Sequence, residues 1–157
     1  MDNYCSQEKA DEVWYFAYGS NLYKPQMQAR VGEWKTSRKA HLKGWRLVFN
    51  VKSKRWGGGA ANILKTEKSD EIVYGAVYLI TCKQLDLLTE YEGVEPQDIQ
   101  VESEGKEIQA RTYIFRSDNP SLKPTPAYIE TIISGLKQHG YKDNVVESIK
   151  KTIKRSM

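Results

Sequence analysis

The chain has 157 residues, 39% hydrophobic and 28% charged, which are the proportions of an ordinary folded domain and exclude a largely disordered polypeptide. Lys and Arg number 24 against 20 Asp and Glu, a net charge of +4 without long single-sign runs, so a nucleic-acid-binding tail is not expected. No stretch approaches the roughly 18 apolar residues of a bilayer span, and the polar start MDNYCSQEKADE lacks the apolar centre of a signal peptide.

Two cysteines, Cys5 and Cys82, are too few for a zinc quartet or a disulfide framework, and a reducing, cytoplasmic setting is expected. Residues 1–12 have no hydrophobic period and read as a disordered or loosely held lead-in to a single domain over 13–157. Val13 to Tyr18 is an aromatic-rich strand running into a sharp turn at Gly19-Ser20-Asn21. Pro25 suits the first turn of a short helix reaching Val31. Alternation around Trp45, Leu47 and Phe49 predicts one strand within 38–52. Glycines 57–59 make a loop before a third strand at 60–64.

Residues 71–80 are apolar on both faces, as an interior strand or barrel stave requires. Thr81 and Gln84 have the spacing of a capping box, and Gly93 is placed to end that helix in a left-handed conformation. Strands at about 98–103 and 107–115 flank Gly105 as a hairpin. Thr125 caps a helix with Pro126 at its first position, running to about Gln138 before Gly140, and a basic helix covers about 142–154. This order is α+β, a small mixed β-barrel with packed helices, and not the regular alternation of a doubly wound sheet.

Two segments carry chemistry. In Phe16-Ala17-Tyr18-Gly19-Ser20-Asn21-Leu22, successive N–H groups of a tight turn can form an anion-binding nest, and equally an ordinary strand-to-helix turn. No GxxxxGK or GxSxG pattern is present. In the carboxylate group Glu90, Glu92 and Glu95, a solvated face is the plain reading. Glu92 stands apart because it directly precedes Gly93 at the negative end of a helix. There the dipole and partial burial both raise a carboxyl pKa and make it a better proton acceptor near neutrality.

Together these segments resemble the γ-glutamylcyclotransferase superfamily. YFAYGSNL is similar to its signature loop, and LTEYEGVEP is similar to the segment that carries its catalytic Glu. WGGGAANI, EIVYGAVYLI, GKEIQARTYIF and KPTPAYIETIISGLKQHG extend the likeness in one order over about residues 13–141. The Asn21-Leu22 form is closer to the γ-glutamylcyclotransferase branch than to the glutathione-specific branch. The resemblance implies cleavage of a γ-glutamyl amide by its own α-amino group, releasing 5-oxoproline and a free amine or amino acid, with no cofactor and no metal. It implies Glu92 as proton shuttle, Tyr15, Phe16, Ala17, Tyr18, Gly19, Ser20, Asn21 and Leu22 as the substrate loop, and Tyr128 as a substrate contact. Its partner is a small γ-glutamyl substrate, not nucleic acid or membrane; a homodimer is compatible with the sequence but not required by it.

One departure is visible. Relatives often carry a Tyr a few residues after Glu-Gly-Val, where this chain has Ile99, which cannot donate a hydrogen bond. That residue is the ground for an alternative, a non-catalytic module binding a small anion or a protein. A second alternative is removal of a γ-glutamyl cap from an aminoglycoside-type natural product, for which a mouth of Trp56 and carboxylates would suit a bulky cationic leaving group. His41 and His139 read as surface or structural histidines and Cys82 as a small buried hydrophobe. Lys52, Lys54, Arg55 and Trp56 read as a solvated basic loop, bordering the pocket if the chain is a cyclotransferase.

Overall fold

The computed structural model describes residues 12–68 and 70–155. Its centre is the strand from Ile72 to Thr81, here β5, whose two apolar faces let it hold neighbours on both edges. One neighbour is β1 (Glu12–Ala17), antiparallel with Phe16 opposite Val77; the other is β2 (Thr36–Lys43), antiparallel with Ala40 opposite Gly75. Gly75 is required by close approach, because a Cβ there would lie 2.1 Å from the Ala17 carbonyl oxygen.

The hairpin of β6 (Gln97–Ser103) and β7 (Lys106–Thr112) turns through Glu104 and Gly105, both at positive φ (54° and 77°). Positive φ at both central residues is the geometry whose twist matches paired strands. β6 meets β2 where His41 lies opposite Glu102, and β7 meets β1 in parallel where Tyr15 lies opposite Arg111. The order β1-β5-β2-β6-β7 therefore closes a mixed five-stranded barrel.

The expected single strand within 38–52 is two. Gly44, at φ 81°, separates β2 from β3 (Trp45–Lys52), which leaves the barrel and pairs with β4 (Gly59–Lys65) as a separate two-stranded sheet. Buried Asn62 fastens that sheet to the chain after β7, donating to the Phe115 carbonyl (2.9 Å) and accepting from its N–H (3.0 Å). β7 itself stops at Thr112, short of the expected 115.

Among the described residues four helices pack on the strands and on one another: α1 (Lys24–Val31), α2 (Cys82–Glu92), α3 (Pro126–Gln138) and α4 (Asp143–Arg155). The capping box at the start of α2 is formed, and Gln84 reaches on to the carbonyls of Val31 and Glu33, tying that end to the end of α1. Gly93 ends α2 in the left-handed conformation (φ 78°, ψ 5°), which costs a glycine little. In α3, Tyr128, Ile132, Ile133 and Leu136 form one buried stripe at helical spacing, each large side chain worth about 1.5–3 kcal/mol on burial. Gly135 lets α3 press on the chain after β1, since a Cβ there would meet Leu22 backbone at 2.4 Å.

Cys82, expected as a small buried hydrophobe, is half-buried and packs against the core. The expected lead-in lies outside the described residues except for Glu12, which opens β1. Among the described residues, no helix is long and apolar enough to cross a membrane.

Candidate active site

β1 ends at Ala17 inside the barrel wall, and the chain turns through Tyr18 and Gly19 into a short 3-10 turn, Ser20–Leu22. In that turn the Leu22 and Tyr23 N–H groups bond back to the Gly19 and Ser20 carbonyls (both 3.0 Å). The Ser20 and Asn21 N–H groups precede the first such donor, so the turn has no acceptor for them. The turn is held from behind: the Tyr78 hydroxyl donates to the Asn21 carbonyl (2.8 Å), and His139 Nε2 lies 3.1 Å from the Leu22 carbonyl. Burial pushes His139 down to about 4, so it is neutral near pH 7 and serves as a structural histidine.

Asn21 is the hub. Its Nδ2 donates to the Tyr15 hydroxyl (3.0 Å) and to Glu92 Oε2 (3.2 Å), while its Oδ1 accepts from Gln26 (3.0 Å) and Arg30 (3.0 Å). Gln26 also donates to the Ser20 hydroxyl (2.7 Å), so one glutamine orients two consecutive loop side chains. Arg30 completes the ring at 3.5 Å from Glu92 Oε2, with its guanidinium over the Tyr91 ring (4.8 Å).

Glu92, the last residue of α2, turns inward with its side chain only 18% exposed. Burial raises its carboxyl above the ordinary range, opposed by Arg30, the Asn21 hydrogen bond and Arg55. All of its hydrogen bonds among the described residues fall on Oε2, leaving Oε1 for a guest. Burial likewise raises the phenols of Tyr15, Tyr18 and Tyr128, so each is a neutral hydroxyl. Tyr128 accepts from the Ala61 N–H (2.7 Å) and donates to no described residue, so its proton is available.

These groups line one cleft of about 270 Å3, enough for a small amino-acid derivative. Of the expected loop residues, Tyr15, Tyr18, Gly19, Ser20 and Asn21 reach it, as do Glu92 and Tyr128. Phe16, Ala17 and Leu22 are fully buried in the core and support the loop from beneath. Glu90 and Glu95 are exposed, and among the described residues Glu92 is the one carboxylate of the lining. Lys52, Lys54, Arg55 and Trp56 border the mouth, so the expected mouth of Trp56 with carboxylates is corrected to one of Trp56 with cations.

Arg30 and Gln26 carry no motif signal in the sequence; their roles depend on contacts across the fold. The one local signal was an Arg nine residues after Asn21, in the helix that the loop feeds. Ile99 sits in β6 at 9% exposure opposite Ala110, and is not part of the cleft. Among the described residues no cluster of His, Cys, Asp and Glu is placed to hold a metal ion.

Comparison with known proteins identifies the family. Residues 15–130 match the family model described as gamma-glutamyl cyclotransferase, AIG2-like. The chain is 32% identical to the gamma-glutamylcyclotransferase of Mus musculus over 153 residues, covering 91% of this chain and 80% of that one. It is 33% identical to the Homo sapiens protein of the same name over 146 residues, covering 87% and 76%. A solved structure titled gamma-glutamyl cyclotransferase superposes with a TM-score of 0.81 at 30% identity, covering 88% of this chain and 86% of that one.

Proposed function

The chain belongs to the gamma-glutamyl cyclotransferase, AIG2-like family and is an enzyme of γ-glutamylcyclotransferase type, and we propose that it cleaves γ-glutamyl amides to 5-oxoproline and a free amine, with Glu92 as the proton shuttle. The substrate brings its own nucleophile, so the protein must supply folding of the guest, proton transfer and charge stabilisation. Holding the α-nitrogen against the γ-carbonyl is worth up to roughly 7–11 kcal/mol of barrier.

Glu92 Oε1 takes a proton from the α-ammonium, and the freed amine attacks the γ-carbon. Charge builds on the carbonyl oxygen, where the hydroxyl protons of Tyr15 and Tyr128 and the Ser20 and Asn21 N–H groups are the available donors. The bond to the leaving nitrogen then breaks as Glu92 returns the proton to it. For a secondary amide the α-ammonium begins with three protons and the lactam keeps one. The other two finish on the leaving nitrogen, which departs as an ammonium.

The observation that supports this reading best is the inward Glu92, its Oε1 unengaged and its pKa raised by burial, beside the 3-10 turn. A raised carboxyl is a stronger base once ionised, and Arg30 and Asn21 favour its ionised form against the push of burial. The non-catalytic alternative drew on Ile99, and that residue stands outside the cleft. The aminoglycoside alternative needs a mouth that accepts a polycation, whereas Lys52, Lys54 and Arg55 stand there. The test is 5-oxoproline release from a panel of γ-glutamyl amides: turnover lost in Glu92→Gln with the fold kept supports the assignment. No release from any member of the panel rejects it.

A further inference from the structure

The inner half of the cleft accounts for a glutamyl group, but its mouth is built for something else. Lys52 closes β3, and Lys54 and Arg55 stand on the connection from β3 to β4; all three are exposed and border the cleft. Among the described residues no carboxylate lies within ion-pairing distance of any of them. By contrast Lys43 pairs with Glu102, Arg46 with Glu71 and Arg111 with Asp98. Glu92, the one carboxylate in the cleft among the described residues, is already engaged by Arg30.

The connection carrying Lys54 and Arg55 is pinned in place. Ser53 N–H bonds the Gly58 carbonyl (3.0 Å), Gly57 N–H bonds the Ser53 carbonyl (3.0 Å), and the Ser53 hydroxyl accepts from the Trp56 N–H (2.9 Å). The Thr125 hydroxyl donates to the Trp56 carbonyl (3.2 Å), and the Trp56 ring packs on Tyr128 (5.3 Å). Arg55 reaches over the Tyr91 ring (5.8 Å), the ring that Arg30 also faces. Unpaired cations on a pinned turn, next to the tyrosine that borders the guest, form a preorganised anion subsite on the path along which the leaving group must extend.

We propose that this rim binds carboxylates of the leaving group, and that the enzyme prefers γ-glutamyl conjugates of acidic amino acids over conjugates of neutral or cationic amines. The inference rests on the cyclotransferase reading above and names the substrate class of that same site. The glutamyl half carries an α-ammonium and an α-carboxylate and is nearly neutral overall. Discrimination at the rim is therefore set by the charge of the half that leaves. A cationic leaving group meets three like charges, whereas a dicarboxylic one meets three opposite charges, which favours both its capture and its residence.

The experiment compares kcat/KM for γ-glutamylglutamate, γ-glutamylalanine, γ-glutamylpropylamide and γ-glutamylcadaverine, read as 5-oxoproline release. The expected order follows that sequence, with the acidic conjugate ahead of the neutral amide by about tenfold or more at low ionic strength. About 0.5 M salt should shrink that ratio, because exposed charges are screened over a few ångströms there. The Lys54→Glu/Arg55→Glu double variant should bring the ratio to one or invert it, and Lys54→Gln/Arg55→Gln should place it in between. Because each ratio is taken within one preparation, loss of folded material does not move it. Equal kcat/KM for the acidic and neutral conjugates in the unaltered protein overturns the proposal, as does an unchanged ratio in both double variants. Absence of 5-oxoproline from every conjugate instead overturns the enzymatic reading, and the subsite with it.

Discussion

The inner wall of the cleft and its rim are built on opposite principles. Tyr15, Asn21 and Tyr128 are at most 4% exposed, and each has a named hydrogen-bond partner. No buried side-chain nitrogen or oxygen among the described residues lacks a partner. At the rim, Lys52, Lys54 and Arg55 are exposed and have no carboxylate partner among the described residues, yet the turn that follows β3 is fastened by hydrogen bonds of Ser53, Trp56 and Gly57. A buried polar network permits little substitution, because removing one member strands the others. An exposed charge on a stiff turn is exchanged at small cost to the fold. In the mechanism proposed above, chemistry common to every γ-glutamyl amide falls to the first region and choice among leaving groups to the second.

The harshest attack on the inner wall is Glu92→Gln, which keeps shape and removes proton transfer. It should lower kcat by about 10²–10⁴ with an unchanged circular dichroism spectrum. The same variant should melt higher than the unaltered protein near pH 7. The folded carboxyl has a raised pKa, so its stabilising contribution is present below the unfolded value of about 4.3 and is lost as pH rises through the folded value. Gln does not ionise, so the difference in Tm should narrow on acidification. A lower Tm at pH 7 would show that Arg30 and Asn21 more than offset the burial.

Next in size is Gly135→Ala. The added Cβ would sit 2.4 Å from Leu22 backbone, so α3 or the 3-10 turn must move. A cost of about 1–3 kcal/mol is expected, read as a fall of several degrees in Tm, with kcat reduced as well because the moved turn carries Asn21. Tyr128→Phe should follow, stranding the Ala61 N–H at about 1–3 kcal/mol. Here kcat should fall more than KM rises if the hydroxyl serves the developing oxyanion.

Arg30→Gln is gentler. The arginine holds the Glu92 carboxyl down against the push of burial, so its loss should shift the acidic limb of the kcat/KM profile to higher pH. An unmoved limb would remove Glu92 as the group that limb reports. The smallest effect belongs to Arg46→Ala, away from the cleft. Arg46 holds Glu71 down to about 2, so the pair contributes above the ordinary carboxylate range and that contribution is lost as pH falls toward 2. Tm should change little at pH 7, as for other exposed ion pairs, and kcat not at all.

Local signals were readable from the chain wherever a few neighbouring residues decide the outcome. The Thr81–Gln84 box, the left-handed Gly93 and the Thr125-Pro126 start of α3 all form as their spacing predicts. The mixed barrel with packed helices was legible as a class, while its strand order was not, because pairing β5 between β1 and β2 depends on residues far apart in the chain. Gly44 was passed over because alternation continues on both sides of it; only its positive φ shows that the strand ends there. At the site, the loop and Glu92 stood out by motif and position. Arg30 and Gln26 look like solvated residues of a short helix until Asn21 is brought against them. The basic turn was visible, but its lack of carboxylate partners was not, since ion pairing is decided across the fold.

The parallel seam between β1 and β7 sets the order in which the site can come into being. Thr112 donates to the Phe16 carbonyl across 96 residues of chain, immediately before the turn that borders the cleft. Contacts of such long separation carry a large closure entropy and make refolding slow. A newly made chain can wind α2 and pair β6 with β7 early, from neighbours alone, and still have nowhere to seat a guest. The turn therefore depends on closure of this seam as well as on docking of α3, and ligands of the cleft should act as clamps on the seam, slowing its opening and protecting β1 amides from exchange.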